Sequence, residues 1–414
     1  MIRIQDFFLA YTLFIMLMPG NVFKLTSLYH METPGYIGYT AVDYDFSVLM
    51  IPIILYGSYI YYKNYDYRYL ALLILLFVND VMRDMLDLGK FFAIGDYTYY
   101  LAFTCGVLSA YIFYYVLLEK NIKYFHYFWL VNIITQVGNV FWGNSPFEGR
   151  WYAINFGLAE TGIISMMGLF MIIFSGKNKS NFEKFMIPIY LLSMILAGSR
   201  SSFVFLLLIC CIYKIRNANI STKSIVRFSI FFICMCSVVI IIFLTNDKVQ
   251  SSVSEMVEFY NYLLSIDLQS LNLTKIDERI ATESLFGRFY SIYWGILILI
   301  DNPFGLGSSV ILIQDGIKSL GGYPSFPHSS FLSYWLLFGI VTWIIIIYGI
   351  TRLKALIKEK SKYEMIGWYL FISFWFYGGP PTMNFKAWFM WGSIFLIISN
   401  EKYLKKYDND VSEV

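Results

Sequence analysis

Two arginines and one histidine stand out as side chains that could perform chemistry: Arg200, Arg288 and His328. A guanidinium group binds phosphate through a planar fork of N–H donors, which the ammonium group of lysine cannot reproduce. An imidazole accepts a proton near neutral pH and can therefore activate a hydroxyl group as a nucleophile. Together these residue types indicate anion binding and general-base catalysis.

Each of these residues also has a structural interpretation. Arg200 could extend its guanidinium group toward lipid headgroups. Arg288 could form a salt bridge with an acidic residue of the same segment, for which Asp277, Glu278 and Glu283 are available. His328 could be held by backbone groups at the start of a helix. The side chains alone leave these alternatives open.

Further polar residues are candidates for binding a substrate. Ser199 and Ser201 flank Arg200 and add hydroxyl donors, while Arg279 lies in the same segment as Arg288 and competes with it. Arg150 lies near an expected helix end. These residues would extend an anion site with further hydrogen-bond donors.

A stripe of charged residues occurs at the end of an apolar segment. Asp80, Arg83, Asp84 and Asp87 are spaced so that they share one face of a helix. This face either lines a cleft for a polar substrate or closes ion pairs within the protein, and the sequence slightly favours the structural role. Asp80 and Asp84 are retained as candidate substrate contacts.

The elements that must position these residues are membrane helices. The chain of 414 residues is 58% hydrophobic and 14% charged, with a mean hydropathy of +0.59. Its apolar segments approach the length of about 20 residues that crosses a bilayer. We therefore predict an all-α polytopic membrane protein with about 12 transmembrane helices and one long loop.

The distribution of positive charge predicts the orientation. Most of the 31 lysines and arginines fall on short segments that lie on one side if both termini are cytoplasmic. We expect transmembrane helices 1–9 in residues 1–244, a periplasmic loop at 245–328, helices 10–12 in residues 329–400 and a cytoplasmic tail at 401–414. One span is expected at residues 329–350, and residues 289–300 are expected to form a short helix on the membrane surface.

Several classes of site are absent from the sequence. The five cysteines all lie in apolar segments, which is typical of packing residues, and no His/Cys set has metal-ligand spacing. There is no phosphate-binding P-loop. We therefore predict no metal and no cofactor, although the carboxylates of the stripe leave metal binding there as an alternative.

Three motifs in order resemble a known superfamily. These are Gly198-Ser199-Arg200-Ser201 at the tip of a helical hairpin, a long outer loop containing Gly287-Arg288 and Asn302-Pro303-Phe304-Gly305-Leu306-Gly307, and an exit through His328-Ser329-Ser330-Phe331-Leu332. This pattern resembles the O-antigen polymerase and O-antigen ligase superfamily over roughly residues 185–350. Ligases often carry asparagine after the histidine, where this chain has Ser329, and this difference favours a polymerase.

The resemblance implies a metal-independent inverting glycosyltransferase of the membrane-embedded GT-C type, located in the bacterial inner membrane with its active site facing the periplasm. The implied donor and acceptor are glycans linked to undecaprenyl pyrophosphate, as in the synthesis of lipopolysaccharide. Arg200 and Arg288 would stabilise the pyrophosphate leaving group, and His328 would be the general base. Trp294 and Tyr323 could stack on sugar rings.

The implied partners are membrane lipids, the lipid-linked glycans and a separate chain-length regulator; no nucleic acid is expected. Two other activities remain open. A ligase would transfer the glycan to lipid A core, and a transporter would move the lipid-linked glycan across the membrane. Transporters commonly show internal repeats and deeply placed charged residues, and neither occurs in this sequence.

Overall fold

Helices form nearly all of the part of the chain that the computed structural model describes. The described residues are 3–18, 27–32, 43–64, 68–86, 94–142, 151–153, 156, 158–174, 179–198, 200–217, 254, 257, 292, 295–296, 298–300, 302–303, 305, 329–359, 361, 363–376 and 385–400.

The helices within these residues are numbered here in chain order. They are α1 (Ile4–Leu17), α2 (Ile51–Lys63), α3 (Arg68–Leu86), α4 (Ile94–Phe113, continued by a π-helical turn at Tyr114–Leu118), α5 (Lys123–Trp142), α6 (Leu158–Ile173), α7 (Asn181–Leu196), α8 (Arg200–Asn217), α9 (Ser330–Phe338), α10 (Val341–Lys358), α11 (Glu364–Phe376) and α12 (Phe385–Ser399). The helical prediction is confirmed in these regions. The predicted span at residues 226–244 lies outside the described residues.

One pair of strands departs from the all-helical prediction. Strands β1 (Ser27–Glu32) and β2 (Asp43–Ser47) pair antiparallel before α2, with His30 opposite Asp45. The sequence analysis predicted no strands in this region. A strand this short has only a weak local sequence pattern, because its formation depends on pairing with a second strand.

The length of the apolar helices bears on the membrane prediction. Among the described residues one helical stretch, Tyr100–Leu118, is long and apolar enough to cross a membrane by length and composition. The other apolar helices there, such as Ile4–Leu17 and Phe385–Ser399, are shorter. A single helix of this kind also occurs in the core of soluble proteins, so the number of spans stays a prediction.

Helices α4 and α12 approach each other very closely. A Cβ atom added at Gly106 of α4 would lie 2.4 Å from the carbonyl oxygen of Phe385 and 2.4 Å from the Cβ of Trp388 on α12. One added at Gly392 would lie 2.9 Å from the Cβ of Ala110. Small residues at such contacts let two helix backbones pack directly together, which is a common arrangement in membrane proteins.

A second packed unit is formed by α5, α6, α7 and α8. Helix α7 begins at Asn181 because Ser180 closes a capping box, in which its Oγ accepts from the Glu183 N–H and Glu183 Oε2 accepts from the Ser180 N–H. Further along α7, the hydroxyl of Tyr190 lies 2.8 Å from His126 Nδ1 on α5. Both side chains are buried, so this pair fixes α7 against α5.

The helix predicted at residues 329–350 is interrupted. The structure has α9 and α10 instead, separated at Gly339, whose φ of 51° is in the region that favours glycine. The ring of Trp343 lies 5.4 Å from that of Phe331, so the first turn of α10 folds back beside α9. An uninterrupted helix would hold these two residues about 18 Å apart along its axis.

The segment expected to form a short helix on the membrane surface packs one face against the protein, while Ile296 and Ile300 are exposed. Ile298 and Leu299 are helical and buried, in a cluster with Leu76 of α3 and Leu332 and Leu336 of α9. The backbone N–H and side-chain Nδ2 of Asn302 both donate to the Ile298 carbonyl oxygen, which closes the end of this helical turn. Burial of one apolar face against two helices holds this turn on the protein, and its location on a membrane surface stays a prediction.

Candidate functional site

The turn between α7 and α8 places Arg200 at a helix start. Helix α7 ends at Leu196, and Gly198 then adopts a φ of 60°, which ends the helix without a Cβ clash. Arg200 begins α8, and Ser201 lies in its first turn. The first N–H groups of a helix lack partners within the helix and carry a partial positive charge, so this backbone position is suited to an anion. We call residues 197–200 the α7–α8 turn.

A short extended stretch, residues 151–153, is fixed beside this turn; we call it the pinned segment. The N–H of Trp151 donates to the Leu196 carbonyl oxygen at 2.7 Å, and the N–H of Ala153 donates to Thr161 Oγ1 at 3.3 Å. The Tyr152 carbonyl oxygen accepts from Asn139 Nδ2 at 2.9 Å. Helices α5, α6 and α7 therefore all hold this non-helical backbone.

A chain of buried hydrogen bonds connects the pinned segment to the helices around it. Trp129 Nε1 donates to Ser165 Oγ at 2.9 Å, and the Oγ atoms of Ser165 and Ser193 are 2.9 Å apart. Ser193 Oγ donates to Gln136 Oε1 at 2.6 Å. Gln136 Nε2 donates to the carbonyl oxygens of Trp151 at 2.9 Å and Ser193 at 3.0 Å. We call these four side chains, from Trp129 to Gln136, the α5–α7 chain.

The direction of the α5–α7 chain follows from its proton count. Each serine hydroxyl has one proton, and that of Ser193 is used on Gln136. Ser165 must therefore donate to Ser193, which leaves its lone pairs for Trp129. The side-chain amide of Gln136 has one orientation only, because a flipped amide would place its oxygen against two carbonyl oxygens. All the bonds consequently run in one direction, from Trp129 to the Trp151 carbonyl oxygen.

The residue after His328 starts α9 and attaches it to α11. Ser329 Oγ accepts from the Leu332 N–H as the N-cap, and it donates to the Trp375 carbonyl oxygen at 3.1 Å. Asparagine is an equally good N-cap and also carries a donor. Ser329 therefore has a local structural role. For this reason a serine at this position is only weak evidence for a polymerase rather than a ligase.

Helix α11 connects the start of α9 with the helix that begins at Arg200. Its Tyr369 ring lies 5.8 Å from Phe205 of α8, and its Trp375 ring lies 4.4 Å from Phe331 of α9. These two α11 residues are about 9 Å apart along the helix axis. The helices that carry the two ends of the predicted site thus pack on one common helix.

The carboxylate stripe lies on a helix that packs against α9. Asp80, Arg83 and Asp84 are within α3, whose Leu76 is buried against Leu332 and Leu336. Asp87 follows the end of α3 and lies outside the described residues. The structure therefore brings the helix of the stripe next to the helix that begins after His328.

Several predicted site residues lie outside the described residues, and their roles stay predictions. They are His328, Arg288, Arg279, Arg150, Trp294, Tyr323 and Ser199. For four other predicted residues the structure gives the backbone position within a helix: Arg200, Ser201, Asp80 and Asp84.

The sequence interpretation missed the buried polar residues of α5. Neither Gln136 nor Asn139 was among the predicted site residues. A signal was present, because Trp129, Asn132, Gln136 and Asn139 recur at a spacing of three or four in an apolar segment. Polar residues in such a stripe are expected to face the protein interior, where they find partners.

One comparison with known proteins bears on identity. Residues 185–347 match the family model described as O-antigen ligase, and this region includes Arg200, Arg288 and His328. No curated protein matches the chain. The match does not separate ligases from polymerases. Residues 185–347 of this chain are therefore similar to the O-antigen ligase family.

Proposed function

We propose that this protein is a polymerase that joins oligosaccharide repeat units linked to undecaprenyl pyrophosphate, on the periplasmic face of the bacterial inner membrane. The observation that carries the proposal is the family match over residues 185–347, within which Arg200 occupies the start of α8. The predicted order of the motifs along the chain supports it further.

The reaction needs a stabilised leaving group and an activated acceptor. The acceptor hydroxyl oxygen attacks the anomeric carbon of the donor glycan while the bond from that carbon to the pyrophosphate oxygen breaks. The electron pair leaves with undecaprenyl pyrophosphate, and the anomeric configuration is inverted. His328 takes the hydroxyl proton, and Arg200 and Arg288 hold the departing pyrophosphate without a metal.

The substrate contacts follow from the same scheme. Ser199, Ser201, Arg279 and Arg150 add donors to the anion, and Trp294 and Tyr323 stack on sugar rings. Asp80 and Asp84 bind sugar hydroxyl groups from α3. The polyprenyl chain lies against apolar helix surfaces, and a GT-C-type arrangement of helices surrounds the site.

A ligase that transfers the glycan to lipid A core is the second candidate. The family match leaves this activity open, and the capping role of Ser329 removes most of the weight of the serine at that position as a sign of a polymerase. The two candidates share the donor and the chemistry, and they differ in the acceptor.

The test is complementation of a strain that lacks the gene, with lipopolysaccharide separated on a gel. Wild type restores a ladder of glycan lengths. We expect Arg200→Ala, Arg288→Ala and His328→Ala to reduce turnover by about 100- to 1,000-fold and to leave core carrying one repeat unit. Arg200→Lys keeps the charge but loses the planar fork, so it restores only part of the ladder.

Matched membrane abundance is required for every variant. Arg352→Ala is the arginine control, because its guanidinium caps the end of α12 at the Ser399 carbonyl oxygen and has no part in the proposed site. Bare core with accumulation of lipid-linked polymer in the deletion strain would identify the ligase instead. A normal ladder from all three alanine variants would refute the site assignment.

A further inference from the structure

We propose that Gln136, held by the α5–α7 chain, is a positioning residue that sets the place of the α7–α8 turn for binding pyrophosphate. This inference rests on the proposed function, because it takes Arg200 as the residue that touches the anion. Its own evidence is the buried network that joins α5, α6 and α7 at the pinned segment.

The first step concerns what holds the end of α7. The last carbonyl groups of a helix have no partner within it. At Leu196 the carbonyl oxygen accepts from the Trp151 N–H at 2.7 Å, which is a short bond. Arg200 follows Leu196 by four residues through the tight turn at Gly198. The position of Trp151 therefore limits where α8 can begin.

The second step concerns what holds Trp151. Its carbonyl oxygen accepts from Gln136 Nε2, whose second proton is donated to the Ser193 carbonyl oxygen on α7. One side-chain amide thus bridges the pinned segment and α7 by contacts on both. Gln136 is fully buried, so no water replaces these bonds when they are lost.

The third step concerns precision. The amide of Gln136 is held in one orientation by the Ser193 hydroxyl, which is oriented in turn by Ser165 and Trp129. Hydrogen bonds in such a series polarise one another in a medium of low dielectric constant. Sites that stabilise developing charge depend on donors that are fixed before the reaction, so a rigid support has a catalytic value.

The pinned segment lies next in sequence to Arg150 and bonds to the end of the helix before Arg200, and both arginines were predicted to contact the substrate. Arg150 immediately precedes Trp151, and the Trp151 N–H bonds to the last residue of α7. The α5–α7 chain therefore holds Trp151, which follows Arg150 in sequence, and the end of α7, which precedes Arg200.

The experiment measures binding of undecaprenyl pyrophosphate to the purified full chain in nanodiscs, for single and double variants. Gln136→Met keeps the shape of the side chain and removes its amide. We expect it to weaken binding roughly tenfold, which is about the effect of losing one hydrogen bond. Ser193→Ala is the second variant and should weaken binding less, because the amide of Gln136 remains.

Ser393→Ala is the matched control for a buried serine. Its Oγ is buried like that of Ser193 but donates only to the Phe389 carbonyl oxygen of its own helix, α12. We expect binding by this variant to equal that of wild type. Hydrogen exchange of the Trp151 and Ala153 amides reports the pinned segment directly, and Gln136→Met should accelerate it while α12 stays protected.

A double-variant cycle separates positioning from general destabilisation. If Gln136 acts through Arg200, then Gln136→Met causes no further loss of binding in an Arg200→Ala background. Equal losses in both backgrounds would overturn the inference while leaving the proposed function standing, as would unchanged amide exchange in Gln136→Met. Absence of wild-type binding to undecaprenyl pyrophosphate would instead refute the proposed function, and the positioning role with it.

Discussion

Replacement of Gly106 by alanine is expected to separate α4 from α12. The added Cβ would lie 2.4 Å from both the Phe385 carbonyl oxygen and the Trp388 Cβ, and 3.0 Å from the Phe389 backbone nitrogen. Ordinary contacts of a Cβ begin near 3.4 Å, so α12 must move by about 1 Å. The Phe385 oxygen and the Phe389 nitrogen are backbone atoms, and the Trp388 Cβ is bonded to the backbone. A change of side-chain rotamer therefore cannot remove the clash.

The free energy change has two opposing parts. Overpacking at a well-packed contact costs typically about 1–3 kcal/mol. Alanine in a helix interior is more favourable than glycine by about 0.5–1 kcal/mol. Because backbone atoms cause the clash, we take the upper part of the first range and expect a net loss of about 1–2 kcal/mol in the free energy of unfolding.

The assay is thermal unfolding of the purified protein in detergent, followed by tryptophan fluorescence. Gly349→Ala is the matched control, because its added Cβ would meet nothing within 4 Å and the position is exposed on α10. That variant should be as stable as wild type or slightly more stable. A melting temperature for Gly106→Ala equal to that of Gly349→Ala would refute the close approach of α4 and α12.

Three further predictions use the same unfolding assay. Tyr190→Phe leaves His126 Nδ1 buried without its partner and should cost about 1–3 kcal/mol, whereas adding His126→Phe should recover part of the loss; equal stability of single variant and wild type would contradict the pair. Ser329→Ala removes the N-cap of α9 and its bond to Trp375 and should cost about 0.5–2 kcal/mol, while Ser329→Asn stays near wild type; the idea fails if asparagine is as harmful as alanine. Gly339→Ala forces an alanine to a φ of 51° and should cost about 1–3 kcal/mol relative to Gly349→Ala, so similar melting of the two alanine variants would argue against the bend.

Apolar segments bounded by helix-breaking residues made most helices predictable. The break between α7 and α8 at Gly198 was located correctly because a glycine next to serines and an arginine interrupts two apolar runs. The bend at Gly339 was missed for the opposite reason, since the apolar residues continue on both sides of it. A helix that folds back through one glycine leaves the hydrophobic pattern unchanged, and only the packing of Trp343 on Phe331 reveals it.

The candidate catalytic residues were easier to find in the sequence than the residues that hold them in place. An arginine or a histidine in a hydrophobic chain is visible by its type alone. Gln136 and Ser193 are 57 residues apart, and neither type is unusual in a helix. Their bond depends on α5 and α7 lying side by side, which is a tertiary fact that no local pattern contains. The sequence thus predicted where an anion could bind but not what holds that place.

The short length of α9 has a consequence for how the protein responds to bilayer thickness. Nine residues of helix extend about 13.5 Å, under half of a hydrocarbon core of about 30 Å. The Gly339 bend is buried, and Thr342 Oγ1 donates to the Tyr334 carbonyl oxygen beside it, so the bend needs no water. Stretching or thinning of the lipid acts on helices that span the whole core. In the membrane location proposed above, a half-length helix packed on α11 is therefore less affected by hydrophobic mismatch than a full span.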